Sequence, residues 1–132
     1  MVILVDSSVW IDLLPGKSSP EVARLRRLLT DGEAVAAAVI VQEILQGARS
    51  EQALMTLRAR FLALPLLPAG TESHAAAGAL YARCRWQGIT PRSPHDCLIA
   101  TLALEHDVAL LAADRDFHSI RSMVPELRLL NP

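Results

Sequence analysis

MVILVDSSVW, residues 1–10, runs four apolar residues directly into an aspartate and two serines. An apolar run of this length, bounded by polar residues, predicts a short strand that is buried on both faces, as in a parallel sheet. A carboxylate at the end of such a strand has two explanations. Asp6 caps the helix that follows, because N-cap aspartates accept hydrogen bonds from the first helical N–H groups, or it binds a metal ion. These ten residues alone do not separate the two explanations.

Short apolar segments alternate with helical patterns along the rest of the chain. We predict strands at residues 2–5, 34–38, within 64–69, at 108–113 and at 126–130. We predict helices at residues 7–14, 19–32, 39–48, 50–63, 71–88 and 93–107, and a turn followed by a short helix at 114–123. The second helix is the best marked, with Ser19 as N-cap, Pro20 at the first helical position and Gly32 at its end. This alternation predicts an α/β domain whose parallel sheet is covered by helices on both faces.

Size and composition indicate one domain spanning residues 1–132. The longest apolar run, residues 34–41, is far shorter than the ~20 residues of a membrane span. The first residues lack the basic region of a signal peptide. Cys84 and Cys97 form no CxxC pair and have no histidine at zinc spacing, so we expect buried thiols in a reducing compartment. We therefore expect a cytoplasmic protein without a membrane partner.

Four acids follow the predicted strands or open the helices after them. Asp6 follows the first strand, and Asp114 follows the strand at 108–113. Glu43 lies among apolar residues in the helix after the second strand, and Asp96 lies in the first turn of the helix at 93–107. In parallel sheets, ligands bind outside the carboxyl ends of the strands. We therefore expect the four carboxylates to converge on one rim of the sheet.

Each acid also has a simpler explanation. Asp96 and Ser93 have the S-x-x-D spacing of a helix cap, and Asp114 and Asp116 suit a turn. Glu43 is harder to explain, because an unpaired buried carboxylate costs several kcal/mol. Taken together, the acids favour a shared cation, and oxygen ligands suit Mg²⁺ or Mn²⁺. The chain has no GxGxxG, P-loop or GxSxG motif that would indicate another chemistry.

Four segments, in order and at the expected spacing, resemble the motifs of the PIN domain, and closely those of VapC toxins from bacterial toxin–antitoxin pairs. The segments are VDSSVWI (5–11), VIVQEILQGA (39–48), PHDCLIATLAL (94–104) and LLAADRDFHSI (110–120). The resemblance implies a PIN-like three-layer sandwich with a five-stranded parallel sheet. It also implies a Mg²⁺- or Mn²⁺-dependent endoribonuclease, a homodimer, and inhibition by a VapB-type antitoxin. One departure is Ala112, where such toxins often carry a threonine or serine.

The resemblance also implies roles for individual residues. The expected catalytic and metal-binding residues are Asp6, Glu43, Asp96 and Asp114, with Asp116 as a further metal ligand and Ser8 as a supporting residue that orients a carboxylate or a water. The formal net charge is −1, so no overall field attracts RNA, yet every basic residue except Lys17 is an arginine. Arginine suits phosphate recognition, and Arg85, Arg92 and Arg115 flank the site as candidates to bind the RNA, which by resemblance is tRNA or rRNA.

The first two predicted helices carry more apolar residues than one small sheet face needs. These residues are Trp10, Leu13, Leu14, Leu25, Leu28 and Leu29. They form part of the core, or part of them forms a groove for an amphipathic segment of the antitoxin. An alternative function for the whole chain is a non-catalytic PIN-like module that binds RNA or a protein. We disfavour this alternative because such a module would be expected to lose some of the four acids.

Overall fold

The computed structural model describes all residues from Met1 to Pro132. Its strands are β1 (Ile3–Val5), β2 (Ala34–Ala37), β3 (Leu66–Leu67) and β4 (Ala109–Leu111). Its helices are α1 (Ser7–Leu13), α2 (Pro20–Thr30), α3 (Ala38–Gln46), α4 (Glu51–Leu62), α5 (Thr71–Trp86), α6 (Pro94–Glu105) and α7 (Asp116–Met123). All seven predicted helices are therefore present, most of them shorter by one to three residues at their ends.

The sheet is parallel and has the order β3-β2-β1-β4. β1 lies between two neighbours, and its Ile3 is in register with Ala34 of β2 and Ala109 of β4. Because β1, β2 and β4 are buried along their whole lengths, helices cover both faces of the sheet. The predicted α/β class with a parallel sheet and flanking helices is confirmed.

The prediction of a fifth strand at residues 126–130 is wrong. This segment lies beside β4, but it forms only one parallel bridge, between Leu110 and Leu129. Two backbone hydrogen bonds hold it, from the Leu110 N–H to the Arg128 carbonyl at 2.9 Å and from the Leu130 N–H to the Leu110 carbonyl at 2.7 Å. A ladder of one residue pair is too short for a strand, so the sheet has four strands and a single bridge at its edge.

The ends of the helices follow the local chemistry of the chain. The Ser19 hydroxyl accepts a hydrogen bond from the Val22 N–H at 3.1 Å, so this serine is the N-cap predicted for α2. Gly32 lies just beyond the end of α2 with a φ of +69°, in the left-handed region that favours glycine. At the end of β2, the chain enters α3 without a loop, because Ala37 is both the last strand residue and the N-cap.

The core consists of 30 buried apolar residues around the sheet. Helix α6 contributes most, since every residue from Asp96 to Ala103 is buried. Each fully buried leucine or isoleucine contributes about 1.5–3 kcal/mol relative to an exposed one. Cys84 and Cys97 are buried free thiols, which confirms the prediction made for them. None of the helices combines the length and the apolar character that crossing a membrane requires.

The apolar residues of α1 and α2 divide between the two predicted roles. Trp10, Leu25 and Leu28 are at most 4% exposed and belong to the core. Leu14 and Leu29 are 41% and 39% exposed, and both line an open groove between α1, α2 and α4. The two helices therefore build the core and leave part of their apolar surface open.

Candidate metal centre

Three carboxylates converge at the carboxyl end of the sheet. Asp114 follows β4, Asp116 is the first residue of α7, and Asp96 lies in the first turn of α6. One oxygen from each of these side chains lies within 4.8 Å of the others. Asp96 is buried, whereas the other two are partly exposed, so the cluster opens to solvent on one side. Asp6 and Glu43 lie outside this group of three, although their charges act on it.

Asp6 combines the two explanations suggested by its sequence position. Its Oδ2 accepts hydrogen bonds from the Ser8 N–H at 3.0 Å and the Ser8 hydroxyl at 2.5 Å, so Asp6 is the N-cap of α1. Its Oδ1 is buried and has no hydrogen-bond partner. A buried polar atom without a partner is rare and needs an explanation. A cation at the rim would satisfy this oxygen.

Ser8 joins the ends of the adjacent strands β1 and β4. Its hydroxyl donates to Asp6 Oδ2 and accepts a hydrogen bond from the Ala113 N–H at 3.0 Å. The Asp6 N–H in turn donates to the Leu111 carbonyl at 2.9 Å. Ser8 therefore fixes the rotamer of the Asp6 carboxylate against the end of β4, an arrangement that suits the supporting role expected for this serine.

Glu43 is partly buried and has two partners. Its side chain is 18% exposed and projects from α3 toward the start of α1. The Ser7 hydroxyl donates to Oε1 at 3.0 Å, and the His95 Nδ1 lies 3.5 Å from Oε2. The expected burial cost of an unpaired carboxylate is therefore offset by these contacts. The sequence does not predict that Ser7 and His95 contact Glu43. The only signal for either residue is that it lies next to a candidate acid in the chain.

Asp96 does not act as a helix cap through its side chain. Ser93 is the N-cap of α6, and its hydroxyl accepts from the His95 N–H at 3.2 Å. The Asp96 N–H donates to the Ser93 carbonyl at 3.1 Å, but the Asp96 carboxylate forms no hydrogen bond that would complete a capping box. The S-x-x-D spacing therefore does not explain this buried acid, which faces the other carboxylates instead.

The two buried acids at the rim, Asp96 and Asp6, have raised pKa values. Burial, together with repulsion from the charges of the other four acids, raises the pKa of Asp96 to about 8. Burial also raises the pKa of Asp6 to about 6, against the two hydrogen bonds from Ser8, which lower it. Glu43 and Asp114 add to the upward shift of the Asp6 pKa. A cation among these carboxylates would stabilise their ionised forms.

Arg92 is the one basic residue that contacts the cluster. Its Nη2 lies 3.1 Å from Asp114 Oδ1, and its Nε lies 3.5 Å from Asp116 Oδ2. Its backbone N–H donates to the same Asp116 oxygen at 2.9 Å. The sequence suggested a phosphate-binding role for this residue and held no signal for its pairing with two acids. Arg85 and Arg115 are exposed and form no ion pair.

The donor set fits a hard divalent cation. The group within 4.8 Å consists only of carboxylates, with no histidine or cysteine among them. The unpartnered Oδ1 of Asp6 adds an oxygen that lacks any other use. Mg²⁺ and Mn²⁺ prefer carboxylate oxygens, whereas zinc sites are built from cysteine and histidine. The residues at the rim therefore could hold a divalent cation that prefers oxygen ligands.

The chain is similar to known proteins along nearly its whole length. The PIN domain family matches residues 3–122. Ribonuclease VapC11 of Mycobacterium tuberculosis and VapC ribonuclease Mb1587 of Mycobacterium bovis are each 37% identical over 123 residues, covering 90% of this chain and 91% of each relative. VapBC2 from Rickettsia felis, bound to a promoter DNA fragment, has a TM-score of 0.76 at 16% identity, covering 100% of this chain and 99% of that one. DNA-bound VapBC from Salmonella typhimurium has a TM-score of 0.76 at 22% identity, covering 98% and 97%.

Proposed function

Because the chain belongs to the PIN domain family and is similar to VapC ribonucleases, we propose that it is the toxin of a type II toxin–antitoxin pair and a metal-dependent endoribonuclease. Its reaction is the hydrolysis of RNA phosphodiester bonds, and its cofactor is Mg²⁺ or Mn²⁺. One observation carries the proposal: three carboxylates lie within 4.8 Å of one another, at a rim where a buried oxygen of Asp6 has no hydrogen-bond partner.

The proposed metal ligands are Asp96, Asp114 and Asp116, with Asp6 and Glu43 as further carboxylates of the same site. When bound, a divalent ion lowers the pKa of a coordinated water and stabilises negative charge on the phosphate. The protein supplies the orientation of these groups. Ser8 holds the Asp6 carboxylate in one rotamer through two hydrogen bonds, and Ala113 holds Ser8 in turn.

Glu43 suits the orientation of the attacking water. Ser7 donates to one of its oxygens, and His95 lies 3.5 Å from the other, so the carboxylate is held but keeps free lone pairs. A carboxylate in this state accepts a hydrogen bond from water and positions it for attack on phosphorus. Attack by water breaks the P–O3′ bond and leaves a 5′-phosphate and a 3′-hydroxyl. Attack by the ribose 2′-hydroxyl would leave a cyclic phosphate instead.

The substrate phosphates require positive charge outside the acidic rim. Arg85, Arg92 and Arg115 are the proposed contacts, because all three are exposed and lie on segments that flank the cluster. Arginine forms paired hydrogen bonds with phosphate oxygens and remains charged at any working pH. The identity of the RNA as tRNA or rRNA is part of the proposal and rests on the family.

We propose a VapB-type antitoxin as the protein partner, bound in the groove between α1, α2 and α4. The groove has a volume of about 230 Å³ and is lined by Trp10, Leu13, Leu14, Leu29, Arg60, Phe61 and Leu64. Six of these seven residues are apolar, so the fitting ligand is an amphipathic segment whose apolar side chains enter the groove. Arg60 at its edge favours an acidic residue beside them. The similarity to VapBC structures supports this partner, and the family supports a cytoplasmic homodimer.

Incubation of the purified chain with tRNA and rRNA tests the proposal. We expect cleavage with Mn²⁺, none in excess EDTA, and fragments that carry 5′-phosphates. Asp96→Asn should abolish cleavage, whereas Glu72→Gln, at an exposed acid in the first turn of α5, should not change it. Full activity in EDTA would refute a metal-dependent nuclease. RNA binding without any cleavage would support the alternative of a non-catalytic module.

A further inference from the structure

Arg92 occupies the carboxylates that the proposed metal ion needs. Asp114 Oδ1 accepts hydrogen bonds from Arg92 Nη2 at 3.1 Å and from the Asp116 N–H at 2.9 Å. Asp116 Oδ2 accepts from the backbone N–H of Arg92 at 2.9 Å and lies 3.5 Å from its Nε. Two of the three carboxylates in the cluster therefore share one cation that belongs to the chain itself.

We propose that Arg92 is an internal counter-ion that competes with the divalent metal: its guanidinium balances Asp114 and Asp116 in the metal-free chain and leaves them when the ion binds. The inference rests on the metal site of the proposed function. Two cations within hydrogen-bond distance of the same carboxylates repel each other and compete for the same oxygens, so simultaneous occupation is disfavoured. The released guanidinium then lies beside the cluster, where a phosphate of the substrate would approach.

The contacts of Arg92 allow its side chain to leave while its backbone stays. The side chain is 79% exposed, and ion pairs at such exposure are weak and screened by salt. The backbone N–H bond to Asp116 does not involve the guanidinium and anchors the segment between α5 and α6. Rotation about the side-chain torsions is therefore sufficient for release, without a change in the fold.

Arg115 provides a matched control. It lies between Asp114 and Asp116 in the chain, is exposed, and carries the same charge, but its side chain forms no ion pair with either acid. Replacing Arg115 by glutamine thus removes one positive charge near the cluster without removing a competitor. A difference between the variants at positions 92 and 115 separates direct competition from a general effect of net charge.

Calorimetric titration of the full chain with Mn²⁺ tests the competition. We expect Arg92→Gln to bind Mn²⁺ about three- to tenfold more tightly than the wild type, because two exposed ion pairs no longer have to break. Arg115→Gln should change the affinity by less than about twofold. Added salt should narrow the difference between Arg92→Gln and the wild type, because salt weakens the ion pairs that compete.

Three results would overturn the inference. Equal affinity in wild type and Arg92→Gln would show no competition, and weaker affinity in Arg92→Gln would show that Arg92 supports the metal site. Failure of every variant to bind Mn²⁺ would refute the metal site and this inference with it. This result differs from equal affinity, which would refute the inference alone and leave the metal site standing.

If Arg92→Gln does not fold, an NMR experiment on the wild type tests the inference instead. Its Arg92 Nε–Hε NMR signal, assigned with Arg92→Lys, should shift on addition of Mg²⁺, and an unchanged signal would refute release.

Discussion

Replacement of Asp96 by asparagine should remove the part of the pH dependence of stability that the raised pKa of Asp96 causes in the metal-free chain. Asp96 is 6% exposed, and its carboxyl group forms no hydrogen bond and faces four other acids. Burial and the charges of these acids raise its pKa from 3.8 to about 8. Asparagine has nearly the same shape and carries no charge. The substitution therefore removes the electrostatic cost of the site while it keeps the packing of α6 against the core.

The sign of the effect follows from the raised pKa. Between pH 3.8 and about pH 8 the folded chain keeps the Asp96 proton that the unfolded chain releases. The free energy of unfolding is therefore highest at the acidic end of this window and falls as the pH rises through it, by about 1.4 kcal/mol per pH unit for one proton. From about pH 5 to about pH 8 the loss amounts to at most about 4 kcal/mol, which corresponds to roughly 15 °C in melting temperature for a chain of this size.

Thermal unfolding followed by circular dichroism in EDTA measures this effect. The wild type should lose stability relative to Asp96→Asn as the pH rises, because the subtraction cancels the titrating groups that do not interact with Asp96. Glu126→Gln, at an exposed acid without an ion pair, should keep the wild-type pH dependence. Parallel curves for the wild type and Asp96→Asn would refute the argument, since they would mean that Asp96 ionises normally and does not face a cluster of acids.

Three further predictions concern the rim and the groove. Millimolar Mn²⁺ should raise the melting temperature by several degrees, since a ligand at a hundredfold excess over Kd adds about 2.7 kcal/mol to the free energy of unfolding. Asp96→Asn should lose most of this shift. Equal shifts in the wild type and the variant would mean that the ion binds elsewhere. Ser8→Ala removes the hydroxyl hydrogen bond to the Asp6 carboxylate and the acceptor of the Ala113 N–H. It should lower the free energy of unfolding in urea by about 1–3 kcal/mol, whereas a loss below about 0.5 kcal/mol would contradict the bridging role. Leu29→Arg should abolish co-purification with the VapB-type partner while RNA cleavage continues, and unchanged binding would exclude the groove as the interface.

The amino-acid sequence by itself determined the elements that depend on neighbouring residues. Helix periodicity and end signals act within a few residues, so all seven helices were predicted, and the Ser19 cap was assigned correctly. The strand at residues 126–130 was predicted in the same way and is absent, because a strand requires partners in another part of the chain. The position of β4 relative to this segment allows only one bridged pair, Leu110 and Leu129.

The same division holds at the rim. The sequence indicated which acids follow strands or open helices, and the geometry of a parallel sheet brings such positions to one edge. The tertiary structure decided which of them meet: Asp96, Asp114 and Asp116 lie within 4.8 Å, whereas Asp6 uses one oxygen to cap α1 and leaves the other unpartnered. These distances depend on the placement of helices relative to strands, which local sequence patterns do not specify.

The partners of the acids were the least predictable part of the site. Ser8 accepts a hydrogen bond from a residue 105 positions away, and Arg92 reaches Asp114 and Asp116 across 22 and 24 positions. A charged side chain has many acids within reach of its length, and the sequence does not say which one lies beside it. Packing of α6 and α7 against the end of the sheet makes that choice, because it brings the Arg92 segment, Asp114 and Asp116 to the same place.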